Sequence, residues 1–406
     1  MGIPTAPPRA GFATIAGVPR DSGWRAVVAS VDRRRGSART TPRATPAVSL
    51  RPRPVLLVYG ANGFTGRLIV EQCVRRGLRP VLAARRANSI AELAGRHELD
   101  TRIFALDRPA DIAGGLDGIR VVIHAAGPFF RTSTPMVNAC LARRVHYLDI
   151  TGEISVFEAC KARHADAQQQ GVVLLPGVGF DVVPTDCLAA RLAEQLPGTS
   201  QLELAFAGGG SFSRGTLKTM VLGLNEGGAI RADGVILRVP AGWKTQRVAF
   251  RDRPRTAVTI PWGDVSTAHW STGIPNIHTY IALPSKARRS LLVVGLVKPA
   301  LQFSIVRRAI ERLIDASVTG PDEGVRATAR MQIWGRVTHA DGRMLEGTAE
   351  TPEGYRFTAI AAVESALRVL ANAPAGGYHT PSSAFGSSYL ESFSECQLHI
   401  GTPPAS

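Results

Sequence analysis

From residue 54 onward, short apolar runs alternate with stretches in which apolar residues recur every three or four positions. Residues 55–59 (VLLVY) form the first run. A glycine-rich turn follows, then a helical segment in which Phe64 with Leu68, and Ile69 with Cys73, share the side expected to be buried. Further strands are expected at 80–85 (PVLAAR), 101–107 (TRIFALD), 120–125 (RVVIHA), 145–150 (VHYLDI) and 172–176 (VVLLP). Helical stretches separate most of them; on one, Met136 pairs with Cys140 and Val137 with Leu141. Strands that are apolar throughout and alternate with helices predict a parallel sheet covered on both faces.

After residue 196 the pattern changes. Residues 201–207, 235–239, 247–250 and 257–260 read as strands of an antiparallel sheet, and 215–224 as a helix. A longer helical stretch over 285–318 is interrupted at Pro299. Segments 326–338 and 343–350 flank the turn His339-Ala340-Asp341-Gly342 and read as a hairpin. Residues 359–370 read as a helix returning to the first domain. The expected fold class is α/β: an N-terminal Rossmann-type doubly wound parallel sheet with a second mixed α+β domain. The expected divisions are a leader at 1–53, a nucleotide-binding domain at 54–196, a substrate or dimerisation domain at 197–355, and a closing helix and loop at 356–406.

Charge changes this picture less than its total suggests. The formal net charge is +16, but residues 1–53 hold ten Arg and two Asp, with no Lys or Glu, and so supply +8. No arginine-rich helix with interleaved aromatics occurs later in the chain, so no nucleic-acid partner is expected. The leader, arginine-rich and poor in acids, has the character of an organellar transit peptide but reads rather as a disordered extension or an over-called start, and is set aside. The five cysteines (Cys73, Cys140, Cys160, Cys187, Cys396) make no C-x-x-C pair and read as reduced, mostly buried thiols. With the histidines unclustered too, no metal site is expected. The most apolar stretch, 291–306, is broken by Lys298, Pro299 and Gln302 and is too short for a spanning helix.

The chemistry begins at Gly60-Ala61-Asn62-Gly63-Phe64-Thr65-Gly66, straight after the first strand. Its G-x-x-G-x-x-G spacing departs from G-x-G-x-x-G but serves the same ends. Gly60 permits the tight exit, Gly63 removes a Cβ that would strike a pyrophosphate, and Gly66 lets the helix pack closely. Free backbone amides at the helix start, with Asn62, Phe64 and Thr65 around them, would then face the phosphates. At the end of the second strand stand Ala84-Arg85-Arg86, with no carboxylate before Glu92. Guanidinium groups at Arg85 and Arg86 suit a 2′-phosphate, so NADP is the expected cofactor, with NAD left open. Asp107 is placed to reach the adenine or to cap a turn. Ala126-Gly127-Pro128, after the fourth strand, would pass beneath the nicotinamide ribose.

Ligands of open α/β sheets bind beyond the carboxyl ends of the strands. Asp149 and Glu153 after the fifth strand, and Asp181 after the sixth, are therefore the candidate catalytic carboxylates for orienting substrate or passing a proton. Helix capping is the alternative role at these loops, above all for Thr151 and Asp186. Tyr147 reads as core, and no Tyr-x-x-x-Lys pair occurs. Arg214 and Lys218, in the segment SFSRGTLK, are candidate ligands for an anionic substrate group. Residues 377–386 (GYHTPSSAFG) read as a loop folding back over the site.

Seven segments together resemble the saccharopine dehydrogenase-like reductases. They are GANGFTG (60–66), LAARR (82–86), HAAGPF (124–129), YLDITGE (147–153), PGVGFDVVPTD (176–186), SRGTLKTM (213–220) and GYHTPSSAFG (377–386). The resemblance runs over about residues 54–395. It implies a Rossmann domain, a mixed α/β second domain and a nicotinamide cofactor. GFDVVPTD and SRGT are more similar to the trans-acting enoyl reductases, which reduce a carbon–carbon double bond of a lipid precursor, than to saccharopine reductases, which reduce an imine. The expected activity is hydride transfer from NADPH to an acyl or lipid precursor in the cytoplasm. The alternatives are imine reduction and a non-catalytic NADP-binding or membrane-surface protein. A peripheral membrane contact and a homodimer stay open as partners.

Overall fold

The computed structural model describes residues 55–208, 213–215, 217, 227–283, 285, 304–317 and 320–401. The leader, Lys218 and nearly all of segment 291–306 lie outside these residues. The first half alternates as the pattern predicts: β1 (Leu56–Tyr59), α1 (Phe64–Arg75), β2 (Val81–Ala84), α2 (Ala91–His97), β3 (Thr101–Ile103) and α3 (Pro109–Gly115). It continues through β4 (Val121–His124), α4 (Phe129–Arg143), β5 (His146–Asp149), α5 (Ile154–Ala162), α6 (His164–Gln170) and β6 (Val173–Leu175).

These six strands pair in parallel in the order β6-β5-β4-β1-β2-β3. Alternate residues of each strand feed opposite faces. Leu56 and Val58 join Ile69, Val70 and Cys73 of α1, whereas Leu57 and Tyr59 join Met136, Val137 and Cys140 of α4. The sheet is thus doubly wound, which is why its strands carry no polar face. The third strand is shorter than expected. After Phe104, whose amide donates to the Ala84 carbonyl at 3.1 Å, the chain leaves the sheet to enter α3 behind Pro109.

After α7 (Val183–Gln195) comes a second sheet containing β7 (Thr199–Gly208), β8 (Gly228–Ala232), β9 (Val235–Val239), β10 (Thr245–Ala249), β11 (Pro254–Thr259) and, beyond α8 (Asp264–Thr272), β12 (Asn276–Ala282). Next along the chain are α9 (Ser304–Ser317), α10 (Glu323–Thr328) and the hairpin β13 (Arg330–His339) with β14 (Met344–Pro352). The chain ends with α11 (Gly354–Ala371), β15 (Gly377–Tyr378), α12 (Pro381–Phe385) and β16 (Gln397–Ile400), the last returning to the edge of this sheet. The sheet is mixed rather than antiparallel, because β12 and β7 run parallel from Asn276 opposite Gln201 to Ile281 opposite Phe206. A parallel pair needs a long crossover, and the residues between β7 and β12 supply one.

Two C-terminal elements tie the sheets together. On α11, Ala359, Ala362, Val363, Ala366 and Val369 pack on the α1 side of the first sheet, while Phe357 and Ala361 join the core of the second. Small residues let one helix approach both. The loop at 377–386 does fold back, and it also adds a strand: β15 pairs with β6, Gly377 opposite Val173 and Tyr378 opposite Leu174, as a seventh parallel strand.

Candidate functional site

Gly60 leaves β1 with φ +84°, and a Cβ there would lie 2.8 Å from the Ala126 nitrogen. A Cβ on Gly66 would overlap the Gly60 carbonyl oxygen, so the helix can approach the turn only without a side chain. Gly63 differs. Its backbone is ordinary (φ −72°), and its nearest neighbours for a Cβ are the carbonyl oxygens of Gly60 at 3.3 Å and Ala125 at 3.9 Å. Those carbonyls end β1 and β4, and the crevice between these two strands is where the strand order reverses. Gly60 and Gly66 thus serve the turn itself, while Gly63 keeps the crevice clear.

Around this mouth the chain leaves groups unused. No acidic residue occupies the first turn of α1, and no side chain caps it, so its amides stay available to an anion. Asn62 is exposed on the turn and Thr65 is half-buried. Arg85 and Arg86 are exposed at the end of β2, and among the described residues neither guanidinium has an ion pair or side-chain hydrogen bond. Arg85 and Asp107 both act on the buried Tyr59 hydroxyl, which burial raises to about 12 and which donates to the Phe104 carbonyl at 3.1 Å. Asp107 is exposed and caps no helix; α3 has no side-chain cap. A pyrophosphate seat, two free cations and no carboxylate at the end of β2 fit NADP.

Phe64 is placed differently from expectation. Its ring packs edge-on against Tyr355 at 5.1 Å and lies under the Arg326 guanidinium, so it braces the turn rather than lining the crevice. The Tyr355 hydroxyl accepts from the Ser213 amide at 2.6 Å. That contact brings Ser213 to the cofactor turn, with Arg214 exposed beside it.

Ala126, Gly127 and Pro128 are held from beneath. Thr132 donates to the Ala126 carbonyl at 2.7 Å and lies 3.0 Å from His124 Nε2. Burial pushes His124 down to about 3, so the ring stays neutral and donates from Nε2. The sequence reading took His124 only as part of a motif. Its ring neighbours, the buried Tyr59 and Tyr147 and the half-buried Phe129, were the missing signal.

The three candidate carboxylates separate by what holds them. Asp149 is wholly buried and accepts from the Tyr147 hydroxyl at 2.7 Å and the amides of Thr151 at 3.0 Å and Gly177 at 2.9 Å. Burial raises it to about 6 against those donors. It pins the end of β5 to the loop after β6. Glu153 takes the amides of Phe129 at 2.8 Å and Phe130 at 2.7 Å, closing the start of α4. The capping role foreseen for Thr151 and Asp186 therefore falls first to Glu153. Thr151 turns its hydroxyl to the Glu153 amide, and Asp186 joins Ser271 to the amide of Ser382 at the start of α12.

Asp181 alone of the three has a carboxylate with no hydrogen bond among the described residues. It is half-buried, and Gly152 lies so close that a Cβ there would come within 2.8 Å of Asp181 Oδ2. Burial raises its carboxyl to about 7, so near neutrality it can hold a proton and release it. Its backbone carbonyl is fixed by Trp262 Nε1 at 2.6 Å, a partner the sequence reading did not name. Four of the five cysteines are buried and none is in a disulfide.

Residues 56–175 match the family described as saccharopine dehydrogenase NADP binding domain. A Mycobacterium tuberculosis protein named as a candidate trans-acting enoyl reductase is 31% identical over 182 residues, 41% of this chain and 43% of its own length. A Mus musculus saccharopine dehydrogenase-like oxidoreductase is 25% identical over 202 residues, 43% of this chain and 47% of its own. The chain thus spans less than half the length of these relatives in alignment. A Caenorhabditis elegans lipid droplet localized protein is 24% identical over 413 residues, covering 83% of this chain and 96% of that one. In fold, the chain is similar to the apo saccharopine dehydrogenase (L-Glu forming) of Saccharomyces cerevisiae, with a TM-score of 0.58, 8% identity, and coverage of 86% of this chain and all of that one. Residues 56–175 therefore match a saccharopine dehydrogenase NADP binding domain, and over part of its length the chain is similar to saccharopine dehydrogenase-like oxidoreductases and to a candidate trans-acting enoyl reductase.

Proposed function

We propose that the protein is an NADP(H)-dependent oxidoreductase that reduces a carbon–carbon double bond in an acyl or lipid precursor. The observation that carries the proton half of this reading is the unpaired Asp181 carboxyl, raised to about 7 beyond the carboxyl end of β6. NADPH, when bound, would supply a hydride to one carbon of the double bond. Asp181 would give a proton to the neighbouring carbon, which takes up the electron pair of that bond. Gly60, Gly63 and Gly66 with the α1 amides hold the pyrophosphate, Asn62 and Thr65 edge it, and Phe64 braces the turn. Arg85 and Arg86 take the 2′-phosphate, Asp107 the adenine side, and Ala126-Gly127-Pro128 the nicotinamide ribose. Arg214 and Lys218 receive an anionic part of the substrate. Asp149 and Glu153 fix the two loops between which Asp181 projects. Catalysis otherwise depends on positioning.

This division assigns cofactor binding to residues 54–196, substrate to 197–355 and closure to 356–406. Two relatives' names support a lipid-side substrate: the candidate enoyl reductase and the lipid droplet localized protein. No helix of the described residues is long and apolar enough to cross a membrane. The test is NADPH oxidation by the full chain against enoyl-thioesters, 2-oxo acids with amines, and saccharopine. Turnover of an enoyl-thioester, with one deuteron from C4-deuterated NADPH and one from deuterated water on adjacent carbons, is expected. Turnover confined to the amine mixtures or saccharopine would replace this reading with imine chemistry. NADPH binding without turnover of any would leave a non-catalytic binder.

A further inference from the structure

Asp264 opens α8 and is wholly buried, yet neither of its carboxyl oxygens has a hydrogen-bond partner. Its neighbours are treated differently: Asp149 accepts from three donors and Asp186 from two. An ionised carboxylate in the interior with no donor is strongly disfavoured, so the neutral, protonated acid is the form this site favours. The hydroxyl of Thr185, on the turn that follows Asp181, gives its proton to the Val182 carbonyl at 3.0 Å and not to Asp264.

The residues before Asp264 grip the same turn from its other side. Trp262 Nε1 donates to the Asp181 carbonyl at 2.6 Å, and a Cβ on Gly263 would lie 3.4 Å from the carbonyl oxygen of Gly152, which itself abuts Asp181. Segment 262–264 thus clamps the loop that carries the free carboxyl.

We propose that Asp264 is an uncharged, protonated residue that backs the Asp181 turn next to Trp262 and Gly263 and spares Asp181 a second negative charge. The inference rests on the reading of Asp181 as proton donor. The charged groups on the elements around α8 agree with it. Asp186 on α7 holds donors of its own, while Glu158 on α5 and Arg231 on β8 pair with each other at 3.4 Å. On β12, His278 meets Tyr280 edge-on, and the Tyr280 hydroxyl donates to Glu203. Burial first, then Asp186 and Asp181, hold the Asp264 proton well above the carboxylate range, against the pull of Thr185.

The experiment is a pH titration of the full chain labelled with carboxyl-13C aspartate, with Asp181→Asn and Asp264→Asn assigning the two resonances. The Asp264 carbon is expected to keep the shift of a protonated acid through neutral pH while Asp181 titrates near 7. An Asp264 carbon at the ionised shift at neutral pH overturns the proposal. So does a fall of about one unit or more in the Asp181 midpoint in Asp264→Asn, since only a lost charge would produce it. In a crotonyl-thioester assay, Asp264→Asn, uncharged like the protonated acid, is expected to keep kcat within about threefold, and a loss of about tenfold or more in a folded variant also overturns it. Should that variant fail to fold, the resonances of the wild-type chain still decide. An Asp181→Asn enzyme with full activity would remove the proton-donor reading but leave the Asp264 resonance to be judged by itself.

Discussion

The two mouths at the carboxyl edge of the parallel sheet are built on opposite terms. At the β1–β4 crevice the polar groups are left without partners: the α1 amides, and Arg85 and Arg86. At the β5–β6 side almost every polar group is engaged within the protein. Asp149, Glu153, Thr151 and Asp186 all serve turns or helix starts, and of the three candidate carboxylates Asp181 alone is left over among the described residues. A site that binds a fixed, highly charged cofactor keeps many groups in reserve for it. A site that handles one proton needs a rigid frame and a single free carboxyl. Under the proposed function, unpaired groups in the two regions mark different things, cofactor contacts in one and a proton donor in the other.

The largest expected effect tests the second region. Asp181→Asn keeps the shape of the side chain but cannot donate an acidic proton, and should lower kcat about 10²–10⁴-fold with NADPH binding intact. Stopped-flow turnover beside a fluorescence titration of cofactor measures both. An unchanged kcat would make Asp181 one more framework carboxyl and erase the contrast. Next comes the first region. Gly63→Val is tolerated by the backbone at φ −72° but fills the crevice, and should weaken NADPH about a hundredfold while the fold survives. Calorimetric titration with a circular dichroism control reads the outcome, and wild-type affinity would place the dinucleotide elsewhere.

The cofactor region was legible in the sequence because its constraints are local. Gly60, Gly63 and Gly66 lie within one turn, and Arg85 and Arg86 directly end a strand. The frame of the second region was not, since its bonds join distant residues. Trp262 reaches Asp181 across 81 positions, and Ser382 reaches Asp186 across 196. Glu153 was read as a candidate catalytic carboxylate from its place beyond a strand, and no local pattern shows that it also closes the start of α4, 24 residues upstream. Asp264, at the start of a helix that went unread, looks like an ordinary first-turn acid until its burial is seen. The strand β15 is two residues long and carries no periodicity at all. The parallel pairing of β7 with β12 is equally hidden, because alternation within a strand does not tell which way its neighbour runs.

Arg85→Ala should act within the first region more narrowly than Gly63→Val. Losing a charge-assisted bond to phosphate costs about 1.5–3 kcal/mol, at least tenfold in NADPH affinity. NADH, which lacks the 2′-phosphate, should bind as before. Isothermal titration with both dinucleotides gives the ratio. An equal loss for both would mean that Arg85 serves the fold, and that NADP preference comes from Arg86 or from neither arginine.

The smallest effect separates frame from chemistry most cleanly. The Glu153 carboxylate receives the first two amides of α4, at the end of the helix where the backbone dipole favours negative charge. Removing it in Glu153→Ala leaves both donors without that partner and should cost about 1 kcal/mol, seen as a melting temperature lower by about 2 °C. Because α4 starts directly after Pro128, the same change should loosen the strip beneath the nicotinamide ribose and raise the NADPH KM slightly, with kcat preserved. A substrate-facing acid would behave the other way, with kcat falling and the melting temperature unmoved. That pattern would return Glu153 to the chemistry beside Asp181, and the β5–β6 mouth would then hold two reactive carboxyls in place of one.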